Sequence, residues 1–265
     1  LARNGHEEEL PARLVVGADG AQSPVRRALG LPASARPYRD AYLLTTVPRP
    51  PGFDEARTYF GPGVHLGAVP FAPDAVYCFY LVWEDSFEAV QGAGLERVRR
   101  TVAWLAPSLA DAWQGVGSWE GVLYVRPWRA WCDTWVADGA ALLGDAAHSV
   151  HPHTGQGVNL GLSEALVLAG VADAALRQGD VSRRALLPYE EARKPWARLQ
   201  LRLGDERARF WAMHSRVLAG LWLAALRRSG RRPHLMAREV ARTAGTALEP
   251  PTLRERLRLL GLLPG

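Results

Sequence analysis

The stretch from Ala141 to Gly179 constrains this chain more than any other. It opens with Ala141, Leu142 and Leu143, a continuous apolar run of the kind a buried strand shows, and the strand ends at Gly144 and Asp145. After a turn-rich segment, HSVHPHTGQG, the residues from Gly157 to Arg177 read as a long, almost wholly apolar helix stopped by Gly179. A helix apolar on every side is expected to be buried. Gly144 leaves room for a ligand to approach the backbone, and Asp145 sets a carboxylate acceptor at the strand's C-terminal end, where open α/β sheets bind ligands. Such an acceptor suits a sugar-like hydroxyl. Pro152, Gly155 and Gly157 then form a loop of little bulk leading into a helix start, where free N–H groups and the positive dipole end favour an anion. A Gly-rich connection alone is usually packing. The acid on a strand end combined with a donor-rich helix start is what points to a ligand.

A shorter strand, turn and helix lies at Ala12 to Gly30. Leu14, Val15 and Val16, a continuous apolar run, read as a fully buried strand, and Gly17, Asp19 and Gly20 supply the turn. Ser23 and Pro24 read as N-cap and first residue of a helix through Leu29, closed by Gly30. From about Arg36 to Trp128 the texture changes to short β-type runs separated by Pro and Gly: AYLLTTV, ARTYF, VHLGAV, AVYCFYLVW and a piece around Val122 to Val125. This predicts an antiparallel sheet. Leu95, Val98, Val102 and Leu105 put one apolar stripe on a helix that can cover a face of it. Beyond Val181 the pattern is helical, with Ser182 and Pro188 as start signals and stripes at Trp196, Leu199, Leu203, Phe210 and at Val217, Leu218, Leu221, Trp222, Ala225. Gly230 to Pro233 breaks it, and a further helix from Leu235 stops at Pro250 and Pro251. The expected division is 1–35, 36–130, 131–180 and 181–265, and the fold class is mixed α/β.

Composition removes other classes. At 48% hydrophobic and 22% charged residues the chain is neither disordered nor collagen-like. Cys78 and Cys132 are too few for a disulfide scaffold or a four-cysteine zinc site and fit a reducing cytoplasm. The start, LARNGHEEEL, lacks the apolar core of a signal peptide, and the run Val217 to Leu226 is too short to span a bilayer. Residues 1–180 carry 14 Arg against 20 acids, whereas 181–265 carry 17 Arg and one Lys against 7 acids. That basic end reads either as Arg-rich solvated helix faces or as a contact for an anionic membrane surface. No stacking-aromatic or recognition-helix pattern accompanies it, so nucleic acid is not expected. His148, His151 and His153 are spaced closely enough to ligate a metal, but no acid other than Asp145 completes a set nearby, and no metal is expected. Trp131 and Trp135 are assigned to packing.

The order Gly144, Asp145, Ala146, Ala147, His148, then Pro152, then Gly155, Gln156, Gly157 and Asn159 resembles the second flavin-binding motif of the class A flavoprotein aromatic hydroxylases. These are the relatives of para-hydroxybenzoate hydroxylase and the ubiquinone-biosynthesis hydroxylases. Asp19, Gly20, Ser23 and Arg26 resemble the same family's other internal motif, and the likeness covers roughly residues 12–180. It implies an FAD-binding α/β domain interleaved with an antiparallel substrate sheet that roofs the flavin and excludes water, followed by a helical region. By that resemblance Asp145 accepts a hydrogen bond from the ribityl chain of FAD, and the backbone of Gly155, Gln156, Gly157, Val158 and Asn159 faces the pyrimidine end of the ring system. His148 and Pro152 belong to the same site, and Asp19, Gly20 and Arg26 lie near the pyrophosphate and position FAD or NAD(P)H. Arg26 reads equally well as a surface residue of its helix.

The implied reaction is monooxygenation: NAD(P)H reduces FAD, oxygen adds at C4a, and an aromatic or quinone-precursor substrate is hydroxylated. No side chain is required as a nucleophile, so no catalytic residue is named. The family's opening G-x-G-x-x-G unit has no counterpart. Gly61, Gly63 and Gly67 are wrongly spaced and read as a turn in the substrate sheet. The chain therefore resembles the last two thirds of such a hydroxylase, as a truncated product or a piece of a longer protein. Two alternatives stay open: a non-catalytic remnant, and a flavin reductase or dehydrogenase of the same fold. A cytoplasmic location, with peripheral membrane contact through the basic helices, is the expected setting.

Overall fold

The structure, a computed structural model, describes residues 2–3, 6–7, 9–211, 233–243 and 251–259, with isolated positions between 215 and 263. The strands in chain order are β1 (Ala2–Arg3), β2 (His6–Glu7), β3 (Val15–Gly17), β4 (Ala33–Pro37), β5 (Ala41–Pro48), β6 (Arg57–Gly61) and β7 (Val64–Ala72). They continue with β8 (Ala75–Val82), β9 (Leu123–Val125), β10 (Trp128–Cys132), β11 (Val136–Ala137), β12 (Ala140–Leu142) and β13 (His148–Ser149). The helices are α1 (Pro24–Ala28), α2 (Phe87–Ala93), α3 (Leu95–Leu105), α4 (Ala110–Gln114), α5 (Gly157–Gln178), α6 (Arg183–Trp211), α7 (Pro233–Thr243) and α8 (Leu253–Leu259). They form two compact units. The first comprises residues 1–36, 128–204 and 240–250, and the second 37–127, 205–239 and 251–265. The expected separate helical region, 181–265, is instead divided between the two.

In the first unit β3 runs parallel to β12, with Val15 opposite Ala140 and Gly17 opposite Leu142, and β11 lies antiparallel on the far side of β12. Parallel pairing of segments 125 positions apart brings the ends of two strands to one sheet edge. The turns after Gly17 and after Leu143 therefore start side by side, joined by the Leu143 N–H donating to the Gly17 carbonyl at 2.9 Å. A Cβ on Gly17 would fall 2.7 Å from Leu142 Cδ2 and 3.1 Å from Val25, so only glycine lets α1 close on the sheet. Trp135, Leu142, Ala146, Leu168, Leu186, Tyr189 and Leu201 fill the core between sheet, α5 and α6. Trp131 and Trp135 pack there edge to face, 5.7 Å between centroids.

Several sequence expectations fail in this unit for physical reasons. Strand β3, expected to be fully buried, lies at the edge of its sheet and leaves Val15 and Val16 exposed. Helix α5 is not buried all round: Leu160, Glu164, Leu168 and Ala175 face the core, while Val158, Leu162 and Leu166 are 75%, 64% and 78% exposed. Both faces are apolar, so the 3.6-residue period that separates them leaves no trace in hydropathy. With a mean hydropathy of 1.4, α5 is also long and apolar enough to cross a membrane by length and composition alone, contrary to the expectation that no such segment exists. Helix α6 starts at Arg183, after Ser182, and runs through Pro188 and Pro195. Pro188 starts nothing. A proline forfeits one backbone bond, and the buried Leu186, Tyr189 and Glu190 beside it hold the helix in place regardless.

In the second unit β6, β7, β8, β5 and β9 form an antiparallel sheet in that order. β5 and β8 pair over their whole length, from Ala41 opposite Val82 to Pro48 opposite Ala75. Alternation sends Ala41, Leu43, Val47, Leu66, Ala68, Val76, Cys78 and Val82 to one face, where Val98 and Val102 of α3, Leu109 and Trp113 cover them. Gly61 to Gly63 is the turn between β6 and β7, as expected. The opposite face carries a row of rings: Phe60 on His65 at 5.1 Å, His65 by Phe79 at 5.7 Å, and Tyr77 between Phe79 and Phe71. The Phe79 ring lies over Gly67, where a Cβ would fall 1.9 Å from it. Helices α2 and α4 are too short to show a period and are not anticipated. In the stripe Val217 to Ala225, Val217 and Leu221 are exposed, while Leu218, Trp222 and Ala225 lie outside the described residues.

Candidate functional site

The turn after β3 is built on Asp19. Its Oδ2 accepts the Val25 N–H at 3.0 Å, and Gly20, at φ +83°, reverses the chain so that the Ser23 N–H reaches the Gly20 carbonyl at 3.0 Å. Ser23 Oγ accepts the Arg26 N–H at 2.9 Å and caps α1 as expected. Burial alone raises the Asp19 carboxyl. Hydrogen bonds from Ser23 and the Val25 amide, with the Arg26 charge, outweigh that and hold it below the usual carboxylate range.

Arg26 is only 9% exposed, which removes the reading of it as a surface residue. Its Nη1 donates to the Ala146 carbonyl and its Nη2 to the Ala21 carbonyl, both at 2.7 Å. One guanidinium thus ties the first turn to the second, and its planar fork suits two acceptors at once.

The second turn starts at Gly144, at φ +59°, a backbone conformation that favours glycine. A 3₁₀ turn over Gly144–Ala146 leaves Asp145 exposed while Ala146 and Ala147 enter the core. His148 behaves differently from its expected place at the cofactor. Its ring is 2% exposed, lies 4.9 Å from Trp135, and meets Glu164 Oε1 through Nε2 at 2.7 Å. The imidazole works beneath the turn, not on its face. Glu164 Oε2 accepts the Gly144 N–H at 2.8 Å.

The third turn, His151 to Gly157, is closed by its own bonds. Thr154 Oγ1 donates to the His151 carbonyl at 3.0 Å and accepts the Gln156 N–H at 3.2 Å, and Gly155 is left-handed at φ +64°. His151 is fully buried with its ring stacked on His153 at 4.8 Å, so His148 and the other two histidines are engaged separately. Pro152 and Gly155 are exposed, as are Val158 and Asn159, and Asn159 Nδ2 lies 3.4 Å from both the Gly155 carbonyl and Gln156 Oε1. The first bond within α5 runs from the Leu160 N–H to the Gln156 carbonyl at 2.8 Å. The amides of Gly157, Val158 and Asn159 therefore have no acceptor inside the helix. Helix α6 backs this turn at Gly204, where a Cβ would fall 2.8 Å from His151 Cβ and 3.2 Å from its backbone nitrogen.

Sequence reasoning missed Glu164, Glu190 and Gly204. Glu164 had a signal: between Gly157 and Ala172 it is the one acid in an apolar helix. Glu190 Oε2 accepts the Trp135 and Val136 N–H groups at 2.7 and 3.2 Å, and its other oxygen pairs with Lys194. Gly204 had no signal, since a close approach between distant segments is invisible in a helical pattern.

Two turns leaving one parallel sheet edge, each with an exposed carboxylate, beside a helix start with free amides, define a dinucleotide-type cofactor site. The match to the FAD binding domain over residues 1–203 makes the assignment specific: the chain belongs to the class A flavoprotein monooxygenase family. A ubiquinone hydroxylase of Rhodospirillum rubrum is 33% identical over 255 residues, covering 93% of this chain and 58% of that protein. A 6-methylpretetramide 4-monooxygenase of Streptomyces rimosus is 28% identical over 211 residues, 79% of this chain and 50% of that one. The crystal structure of a probable FAD-dependent monooxygenase from Pseudomonas aeruginosa superposes with a TM-score of 0.67 at 30% identity, over 78% of this chain and 58% of that one. The chain spans about half the length of the curated relatives it matches.

Proposed function

We propose that this chain forms the second part of an FAD-dependent, NAD(P)H-using monooxygenase that hydroxylates an aromatic or quinone-like substrate. The observation that carries the reading is the parallel β3–β12 pair, with Arg26 locking the Asp19 and Asp145 turns at one sheet edge. The residues fit the cofactor. Asp145 offers an exposed acceptor for ribityl hydroxyls, and the amides of Gly157, Val158 and Asn159 offer donors where charge builds on a reduced isoalloxazine. Asp19 and Gly20 serve the pyrophosphate side, with Gly155, Gln156 and Pro152 keeping the approach free of bulk. When bound, FAD supplies the redox chemistry: it takes two electrons from NAD(P)H and activates oxygen. The chain's own groups place it, and none is needed as a nucleophile.

A preceding βαβ unit of the G-x-G-x-x-G type completes this half-site. Supporting that, β3 stands at the edge of its sheet with Val15 and Val16 exposed, α5 offers the apolar face Val158, Leu162 and Leu166, and the relatives are longer. The aromatic face of the five-stranded sheet is the surface we assign to the organic substrate. Names of relatives, one a ubiquinone hydroxylase and one acting on 6-methylpretetramide, support a polycyclic or quinonoid ring. Peripheral attachment to anionic lipid through the basic residues 181–265 is a further part of the reading. It rests on charge alone, and co-sedimentation with anionic vesicles at low salt tests it.

The deciding experiment is titration of the purified chain with FAD, followed by absorbance in the flavin bands. Saturable binding is expected, and Asp145→Asn should weaken it about tenfold, the loss of one charge-assisted hydrogen bond. No saturable binding, with or without the completing βαβ unit added in cis, overturns the reading. Product analysis with NAD(P)H then separates a hydroxylase from a reductase.

A further inference from the structure

We propose that Glu164 is a positioning residue that sets the shape of the Gly144–His148 turn and thereby aims Asp145. One carboxylate closes both ends of this five-residue turn. Oε2 takes the Gly144 N–H at 2.8 Å and Oε1 takes His148 Nε2 at 2.7 Å, with the two side chains 0% and 2% exposed. One helical turn earlier α5 packs against the same turn: a Cβ on Gly161 would sit in ordinary van der Waals contact, 3.7 Å from the Gly144 Cα. Aromatic and small apolar groups lie against the pair: Trp135 lies 4.9 Å from the imidazole, and Ala146 and Ala147 are buried on the turn itself.

A buried acid and imidazole in such surroundings are a poor way to gain stability. Removing charged or polar groups from water costs more than an apolar pair of similar volume would, and such pairs are often replaceable by hydrocarbon without loss. What hydrocarbon cannot do is hold the Gly144 N–H and the His148 ring at a set separation. The turn between them carries its exposed side chain at Asp145, so the clamp's geometry is handed to the one residue that faces outward. Helix α5 thus serves the site twice, by its amino-terminal amides and, seven residues further on, by a side chain that fixes the neighbouring turn. This inference rests on the FAD reading for its consequence but not for the clamp itself.

Two measurements on the same proteins test it: amide hydrogen exchange over residues 144–148 in the absence of FAD, and FAD titration. The variants are Glu164→Gln, which keeps an acceptor for the Gly144 N–H and a donor toward the imidazole, and the apolar pair Glu164→Leu with His148→Phe, which fills a similar volume with hydrocarbon. The apolar pair should retain cooperative unfolding, exchange the turn amides about tenfold faster and bind FAD about tenfold more weakly, with Glu164→Gln between it and the parent. A folded apolar-pair variant with parental exchange and parental FAD affinity overturns the proposal. Should the apolar pair fail to fold, Glu164→Gln decides alone: faster exchange with an unchanged thermal midpoint supports the clamp, and unchanged exchange refutes it. If the parent binds no FAD, the cofactor reading fails, while the exchange measurement still judges whether Glu164 holds the turn.

Discussion

The two units bury different chemistry. The first encloses Arg26, His148, His151, Glu164, Glu190 and Arg242, whereas the buried polar side chains of the second, among the described residues, are Asp40, Thr45, His65 and Glu255. In the second unit shape comes from a regular sheet: backbone ladders satisfy the peptide groups, and one face is left to hydrocarbon. In the first, the sheets are two or three strands wide and much of the candidate site is turn, whose peptide groups no ladder can satisfy. Side chains take that role, Arg26 for two carbonyls, Glu164 for one N–H and Glu190 for two. The comparison teaches that a region built of turns relies on buried charge as scaffolding, whereas a regular sheet satisfies its own backbone.

If this is right, the units should break by different substitutions. The largest effect is expected for Glu190→Ala, which strands two buried N–H groups, leaves the Lys194 ammonium with the Asp133 carbonyl but no carboxylate, and should cost about 3–5 kcal/mol in urea unfolding. A loss below about 1 kcal/mol would show that the first unit does not depend on its charges. Leu66→Ala, a hole in the fully buried sheet face of the second unit, should cost about 3 kcal/mol through transfer and cavity terms.

A pair of glycine changes sharpens the contrast by sign. Gly204→Ala drives a methyl into the His151 backbone and should lose about 1–3 kcal/mol despite the better helix propensity. Gly170→Ala on α5, with nothing within 4 Å, should gain up to about 1 kcal/mol. The smallest effect is kinetic. Burial pushes the Cys78 thiol up to about 11, and burial likewise raises Cys132. Neither should react with a disulfide reagent at pH 8 in the native state. In rising urea Cys132, at the end of a three-stranded sheet, should label before Cys78, which lies between β5 and β7. The reverse order would mean that the unit rich in buried charge is the more firmly held.

Much of this was legible in the residues. The strand ends at Gly17 and Leu142, the caps at Ser23 and Gly179, the antiparallel runs of the second unit and the glycine turns of the site are local features, each written in a few adjacent positions. Pro188 misled because packing from elsewhere overrode a local signal, and α5 misled because a helix apolar on both faces does not show which face is buried. His148 misled because a motif position shows that a residue matters without showing which way its ring turns.

The amino-acid sequence by itself determined most of the longer elements, the spacing of two carboxylates behind two short apolar strands, and the family. Only the tertiary structure decided that those strands run parallel and adjacent, that Arg26 joins their turns, that Glu164 reaches back from α5 to hold Gly144, and that one face of α5 stays exposed. The physical reason is separation along the chain. Propensity and periodicity act over a helical turn or two, whereas these contacts link residues between 20 and 125 positions apart and exist only once the chain has folded.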